Sequence, residues 1–579
     1  YKYFAKSVLS IFWEGTGMKV AAKSLGAANL MGHLCCELGI AKTINNMVTW
    51  DEKQWKVSPG THITALIINA LVQRQPLYNV QRFYGKMDLP LLFPEDVQAS
   101  DFNDDALGRA LDRLAEIDCR QLLGTIACQA DRIEDLQITS VHADTTSFSV
   151  YGEYDNENIS REEPGKYIEI VRGFSKDYKP HLKQLKFGLM VTNQGFPIVG
   201  DVTSGNQSDN IWNRKILDEF QMSFLETWDV AYIADSALIT EDNVKLMEEK
   251  KVRFISRLPG RFNLEQELID RAWREGKWRA CGPMAKTRTK TATHYWTKEL
   301  HSVFVGKTYR FVVVRSSSLS KTKEKTLKRR LEKERRELEK LLKKVSKEDF
   351  KCEPDAKTRL KALLKEHKML HGLSGKTVEN IQVKRKPGRP RKDEVAVPTR
   401  ITYGIVLTVL EPTEEDLEDW RQRESAFVLI TSVSEDLYDD YDVLKEYKKQ
   451  IKVEQRFRFL KDPMFVNALF LKTPKRVQAL GYVILLAVMI ASLLELRIRK
   501  ALKEQRLTIT AGPRKNLTEP TARVLLNLLN EVQVVYLEKD GQMNRILPSN
   551  TDPEILKLLR LSGYDETIYT KNPYRSKLL

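Results

Sequence analysis

Tyr447, Gln450, Glu454 and Lys461 follow one another in the spacing Y-(2)-Q-(3)-E-(6)-K, inside a stretch whose pattern predicts a helix over 437–461. Tyr447, Glu454 and Lys461 recur every seventh residue, which on an α-helix offsets successive members by only about 20°. An aromatic hydroxyl, a carboxylate and an ammonium would then share one helix face. Two more carboxylates, Asp144 and Asp235, each end an apolar strand-like run, ITSVHAD and VAYIAD. Aspartate is depleted inside strands. At a strand's carboxyl end it reaches the crevice where α/β proteins bind ligands. Three acids so placed can hold divalent metal ions for phosphoryl transfer on nucleic acid. Taken singly, each aspartate also fits a turn or cap, but two strand ends together with a helix-borne acid fit that reading less well.

The elements around these residues suggest an α/β core. After a mostly helical stretch, strands are expected at 138–144, 185–192, 196–202, 230–235 and 252–257, with helices at 212–224 and 241–250. Asn193-Gln194-Gly195 reads as a hairpin turn. The alternation then breaks for about 140 residues. A charged helix at 321–345 carries Leu327, Leu331, Leu338 and Leu342 at the spacing of a short coiled-coil seam, and a second helix at 356–370 can pair with it. Residues 374–398 read as a linker. Strands return at 401–410 and 426–432, before the helix that carries Glu454. His142 precedes Asp144 by two residues and so faces the same side of its strand, as a structural histidine or as an addition to the site.

The chain is 42% hydrophobic and 30% charged, which suits a folded protein of several domains. Its net charge of +16 is concentrated. Residues 321–350 hold 13 Lys/Arg against 7 Asp/Glu, and 384–392 hold 6 basic residues with no acid. Such local excess suits a polyanion, although a lysine-rich surface reads the same way. The six cysteines include no CxxC, so free thiols in a reducing, cytoplasmic compartment are expected. The 16 uncharged residues of 479–494 fall short of the roughly 20 that span a bilayer, and a buried core helix is expected rather than a membrane segment. His367 and His371 have zinc spacing but no evident third ligand, so a solvated helix face is the expectation.

With these motifs assembled, the sequence resembles a DDE transposase of a bacterial or archaeal insertion sequence, in the group whose last acid lies in a Y-(2)-R-(3)-E-(6)-K signature. The matching pieces are VHADTTS around Asp144, YIADSALIT around Asp235, RFISRLP, SGNQSDN (204–210) and YKKQIKVEQRFRFLK around Glu454. The resemblance covers 135–260 and 400–500. The amino-terminal part and PTARVLLNLL (520–529) follow it more loosely.

The resemblance implies an α/β fold of the ribonuclease H-like kind, a mixed five-stranded sheet with flanking helices, interrupted by a large insertion before the glutamate helix. It implies two Mg²⁺ (or Mn²⁺) ions held by Asp144, Asp235 and Glu454, with Asp144 bridging. Tyr447 and Lys461 would contact end phosphates, or else be a packed tyrosine and a solvated lysine. The signature's arginine, a phosphate contact in the family, is Gln450 here, which has no charge to offer. Lys448, Lys449, Arg456 or Arg458 would have to supply it.

The implied partners are double-stranded DNA, as element terminal inverted repeats and target, and further copies of the chain in a dimer or higher assembly, with no membrane. Alternatives are an inactive DNA-binding relative and a nuclease without strand transfer. RKPGRPRK (385–392) resembles an AT-hook: Arg389 and Arg391 would enter an A·T-rich minor groove, flanked by Arg385 and with Lys386 and Lys392 on phosphates, unless the stretch is a plain basic linker. Trp273, Trp278 or Trp296 would stack on a flipped base or pack a core.

The expected domains are a helical amino-terminal domain for DNA binding or dimerisation (1–130), a first core part (135–260), an insertion (261–400), a second core part (401–505) and a helical tail (506–579).

Overall fold

The computed structural model describes residues 10–12 and 19–572, apart from 153, 155–165, 177, 220–229, 285–291, 319–320, 368, 384–397, 462–470 and 472. Two compact units make up the chain. The first comprises Tyr1–Pro259, Val303–Lys307 and Thr431–Leu579, and the second Gly260–Ser302 and Thr308–Ile430.

In the first unit, strands β1 (Ser10–Phe12) and β2 (Lys19–Ser24) precede helices α1 (Ala28–Glu37), α2 (Ile40–Met47), α3 (Pro59–Val72), α4 (Leu77–Tyr84), α5 (Leu89–Leu92), α6 (Asp104–Leu114) and α7 (Cys119–Glu134). Local chemistry sets the starts of several of these helices. The Ser58 Oγ accepts from the Thr61 amide ahead of Pro59, Asn103 caps α6, and Asp118 caps α7. Helix α3 is apolar on nearly every side and is buried almost throughout.

Five strands of a larger, nine-stranded mixed sheet follow in this unit, where five in all were expected: β3 (Ser140–Val150), β4 (Lys183–Thr192), β5 (Pro197–Ser204), β6 (Ala231–Ala234) and β7 (Phe254–Arg257), with α8 (Asp209–Glu219) and α9 (Glu241–Glu249) between strands. These five run in the order β5-β4-β3-β6-β7. β3, β4 and β5 form an antiparallel meander, whereas β6 runs parallel to β3 and β7 parallel to β6. Gly195, at φ 87°, closes the expected β4–β5 turn in a conformation that favours glycine.

The second unit contains α10 (Asn263–Glu275), β8 (Arg279–Pro283), β9 (His294–Phe304), β10 (Lys307–Ser316), α11 (Lys321–Val345), α12 (Glu353–Glu366), β11 (Gly372–Val383), β12 (Pro398–Leu410), α13 (Glu414–Glu424) and β13 (Phe427–Thr431). Two expectations are corrected here. Residues 374–383 of the expected linker belong to β11, which pairs antiparallel with β12 along its whole length. Its sequence is polar and glycine-bearing, so the strand owes its existence to its partner and to the cluster of Val345, Ala356, Leu363, Ile405 and Leu407 shared with α11 and α12. Helix α12 ends at Glu366, so His371 lies outside it, buried with its Nδ1 at 3.4 Å from Glu334 Oε2 instead of on a solvated helix face. The hook-like 385–392 lies outside the described residues.

The first unit resumes with α14 (Asp440–Lys448), α15 (Ile451–Leu460) and α16 (Pro474–Gln505). Helix α16 is long and apolar enough to cross a membrane, but 89% of its most apolar window is buried inside the protein, as a core helix requires. The carboxyl-terminal stretch holds β14 (Ile509–Ala511), β15 (Arg514–Leu517), α17 (Ala522–Leu529), β16 (Gln533–Lys539), β17 (Gln542–Ile546) and α18 (Pro553–Leu561). β2 pairs antiparallel with β16, so the two ends of the chain share a sheet. All six cysteines are free thiols.

Candidate active site

Register brings the first two acids together. Ala143 of β3 pairs in parallel with Ala234 of β6, so the next residues, Asp144 and Asp235, stand at the same height. β6 ends before Asp235 as expected, but β3 runs on to Val150, so Asp144 lies within its strand and not at its end. Asp235 caps the short helical turn 236–238, its Oδ1 accepting from the Ala237 amide at 3.0 Å. Asp144 accepts from the Thr145 amide at 2.7 Å. Burial pushes the Asp144 carboxyl up to about 6, with Lys176 opposing and Asp235 adding to the rise. Burial likewise raises Asp235. Two desolvated carboxylates side by side need a cation.

Part of that need is met by residues to which the sequence reading gave no role. The Lys176 Nζ lies 3.4 Å from Asp144 Oδ1 and 3.0 Å from Asp209 Oδ2, and it donates to the Thr145 carbonyl at 2.7 Å. Asp209 also takes Lys186 Nζ at 3.0 Å and the Thr145 hydroxyl at 2.5 Å. Burial alone would raise the Asp209 carboxyl, but Lys176, the Thr145 hydroxyl and Lys186 together hold it below its ordinary value. Asp209 belongs to the SGNQSDN segment, so its neighbourhood was visible. Lys176 sits in a loop and left no periodic signal.

Asp209 starts α8, which is seated by a close approach. Gly188 lies opposite Thr145 in the β3–β4 ladder, and a Cβ there would come within 2.1 Å of the buried Trp212 ring. Gly188→Ala is therefore expected to push Trp212 and α8 outward and to cost about 1–3 kcal/mol. Urea unfolding that matches the parent would contradict this seating.

The third acid arrives on a helix that is not continuous. The expected single helix is broken at Lys449–Gln450 into α14 and α15. Backbone bonds there run three residues back, from Gln450 to Tyr447 and from Val453 to Gln450, which tightens the turn. The one-face argument from sevenfold spacing therefore does not hold as drawn. Tyr447, Glu454 and Lys461 nevertheless stay near the aspartates. Burial first, and then the charges of Asp235, Asp144 and Glu454 against that of Arg257, push the Tyr447 hydroxyl up to about 12. A cavity of about 450 Å³ is lined by Asp144, Lys176, Glu454, Arg458, Lys461 and Arg523, among others.

Helix α15 is anchored from behind. The buried Arg456 donates from Nε to the Gly195 carbonyl at 2.7 Å and from Nη2 to Glu495 of α16 at 2.9 Å. Arg456 is thus committed to the interior and does not replace the missing signature arginine. Gln450 is also turned inward. Its Nε2 donates to the Ala143 carbonyl at 2.7 Å, and its Oε1 meets His142 Nδ1 at 3.3 Å. These contacts tie Gln450 to β3, the strand that carries Asp144. His142 has its Nε2 at 3.2 Å from the Ser140 hydroxyl, and burial drives its pKa down to about 3. It is a neutral structural histidine.

In the second unit, Arg315 stacks on Trp296 at 4.6 Å and on Trp278 at 5.1 Å, while Trp273 meets Trp278 edge-on. All three tryptophans are engaged in one packed group.

As a donor set, Asp144, Asp235 and Glu454 supply the hard oxygens that Mg²⁺ or Mn²⁺ takes. Among the described residues no three acid, histidine or cysteine side chains stand close enough to form a finished metal cluster. The cavity shared by Asp144 and Glu454, beside Asp235, suits such an ion.

Residues 144–490 match the transposase DDE domain family, well over half of the chain. The chain belongs to the DDE transposases. The stretch of this transposase that matches begins at Asp144 and includes Asp235 and Glu454. Residues 20–128, the stretch of β2 and α1–α7, match a domain of unknown function, DUF4277. No curated protein matches the chain. Transposases with this domain act on DNA and generally use divalent metal ions.

Proposed function

We propose that this transposase cuts DNA at the ends of an insertion sequence and joins the freed 3′ ends to target DNA on a ribonuclease H-like core. The observation that carries the proposal is the register of β3 and β6, which sets Asp144 beside Asp235, next to the cavity that Glu454 also lines. The strand order, an antiparallel meander continued by two parallel strands, supports the ribonuclease H-like assignment.

Asp144, Asp235 and Glu454 would hold the divalent ions, Asp144 as the ligand common to two of them and Asp235 and Glu454 each favouring one. When bound, the ions activate the attacking oxygen and stabilise the leaving one in an in-line displacement. Tyr447 and Lys461 orient the phosphate at the cut. Arg458 and Arg523, at the same cavity, hold the neighbouring backbone in place of the arginine that Gln450 replaces. The amino-terminal helices serve end binding or dimerisation, and 385–392 adds minor-groove contacts.

The test uses duplex DNA carrying the sequence that flanks this reading frame, incubated with Mg²⁺. The expected result is a cut at the element end and joining of a pre-cut end to a plasmid. Cutting without joining would identify a nuclease. Binding with neither would identify an inactive relative.

A further inference from the structure

We infer that Lys176 is a resident counter-cation of the acid cluster, bridging Asp144 and Asp209 while no divalent ion is bound and withdrawing onto Asp209 when one binds Asp144. This rests on the metal reading above and adds to it a residue that sets metal affinity.

The contacts of the ammonium are unequal. It is 3.4 Å from Asp144 but 3.0 Å from Asp209 and 2.7 Å from the Thr145 carbonyl. A further contact reaches the Thr145 hydroxyl at 3.4 Å, so leaving Asp144 gives up one of the two long contacts and keeps the two short ones. Both carboxylates are only 19% exposed and the Lys176 side chain 28%, so water screens the group weakly. Asp144, Asp209 and Asp235 bring three negative charges, against the two positive charges of Lys176 and Lys186. The two ammonium groups leave one negative charge uncompensated, which favours entry of a further cation. Lys186 touches Asp209 and not Asp144, which makes Asp209 an anchored docking point for the displaced lysine. An ion approaching Asp144 thus competes with Lys176 but not with Lys186.

The test is Mn²⁺ binding to the full chain, followed by calorimetry and by the metal-induced rise in Tm. Lys176→Met is expected to lower Tm without metal, to bind Mn²⁺ about tenfold more tightly and to show a larger metal-induced rise than the parent. Asp209→Asn, which removes the docking point, is expected to weaken binding, an opposite sign that general loss of folding cannot produce in Lys176→Met. Lys186→Met changes the charge equally and is expected to have the smaller effect. Unchanged or weaker binding in Lys176→Met, or an equal gain in Lys186→Met, would overturn the inference while leaving the metal site standing. A parent that shows no Mn²⁺ response sensitive to Asp144→Asn would overturn the metal reading itself, and this inference with it.

Discussion

Asp144→Asn is expected to lower Mg²⁺-dependent cleavage by roughly 1,000-fold or more if the proposed function holds, because a ligand common to two ions would contribute several kcal/mol to the transition state. The substitution keeps the shape of the side chain and the bond from the Thr145 amide. It also removes one of two neighbouring, desolvated charges. The variant should therefore unfold in urea no earlier than the parent, so that loss of activity and loss of fold separate cleanly. Glu454 is more than half exposed and pairs with Arg458 only at 3.8 Å. Glu454→Gln should match the catalytic loss with almost no change in stability. Single-turnover cleavage and urea melts on the two variants check both halves. Cleavage within tenfold of the parent in either variant would remove that acid from the site.

Arg456→Met gives the largest loss of stability among these substitutions, about 3 kcal/mol. Breaking a buried pair from one side strands the other charge, and such cuts typically cost about 3–5 kcal/mol. Arg456 and Glu495 are 5% and 4% exposed. The lower end applies because Glu495 keeps Arg499 at 2.7 Å and the Ala522 amide at 2.8 Å. Arg458→Met, on the same helix but 74% exposed, should cost under about 0.5 kcal/mol.

The pair also fixes a pH dependence. Burial by itself would raise the Glu495 carboxyl, but Arg456 and Arg499 hold it below its ordinary 4.5. Its contribution is full above that value and is lost as pH falls through the depressed folded one. The gap between parent and Arg456→Met should accordingly narrow below about pH 4.5. Equal unfolding midpoints for Arg456→Met and Arg458→Met at neutral pH would contradict the anchoring role. Activity should fall with stability in Arg456→Met, since this side chain holds α15, and Glu454 with it, against the β4–β5 turn.

The parts of this site that were legible in the sequence are those with a local cause. An aspartate ending an apolar run marks a strand end, which holds for Asp235 after β6, whereas β3 continues past Asp144 to Val150 because β4 pairs with it over that length. The turn at Gly195 was equally visible. What escaped depends on partners remote in sequence. Lys176 acquires meaning only when the loop before β4 returns it to Asp144. β2 is a strand because β16 lies beside it, and β11 because β12 does. The α14–α15 break was hidden because nothing in Lys449-Gln450 forbids helix. The side chain of Gln450 instead engages Ala143 and His142, more than 300 residues earlier. That contact also explains how a residue read as a weakened phosphate ligand takes on a supporting task inside the protein.

Crystals of the transposase soaked in Mn²⁺ and measured at the manganese edge address the central claim directly. The account predicts two anomalous peaks, with the Asp144 carboxylate between them, Asp235 on one and Glu454 on the other. Manganese bound elsewhere, or no peak at Asp144 in crystals that take up the ion, would contradict it.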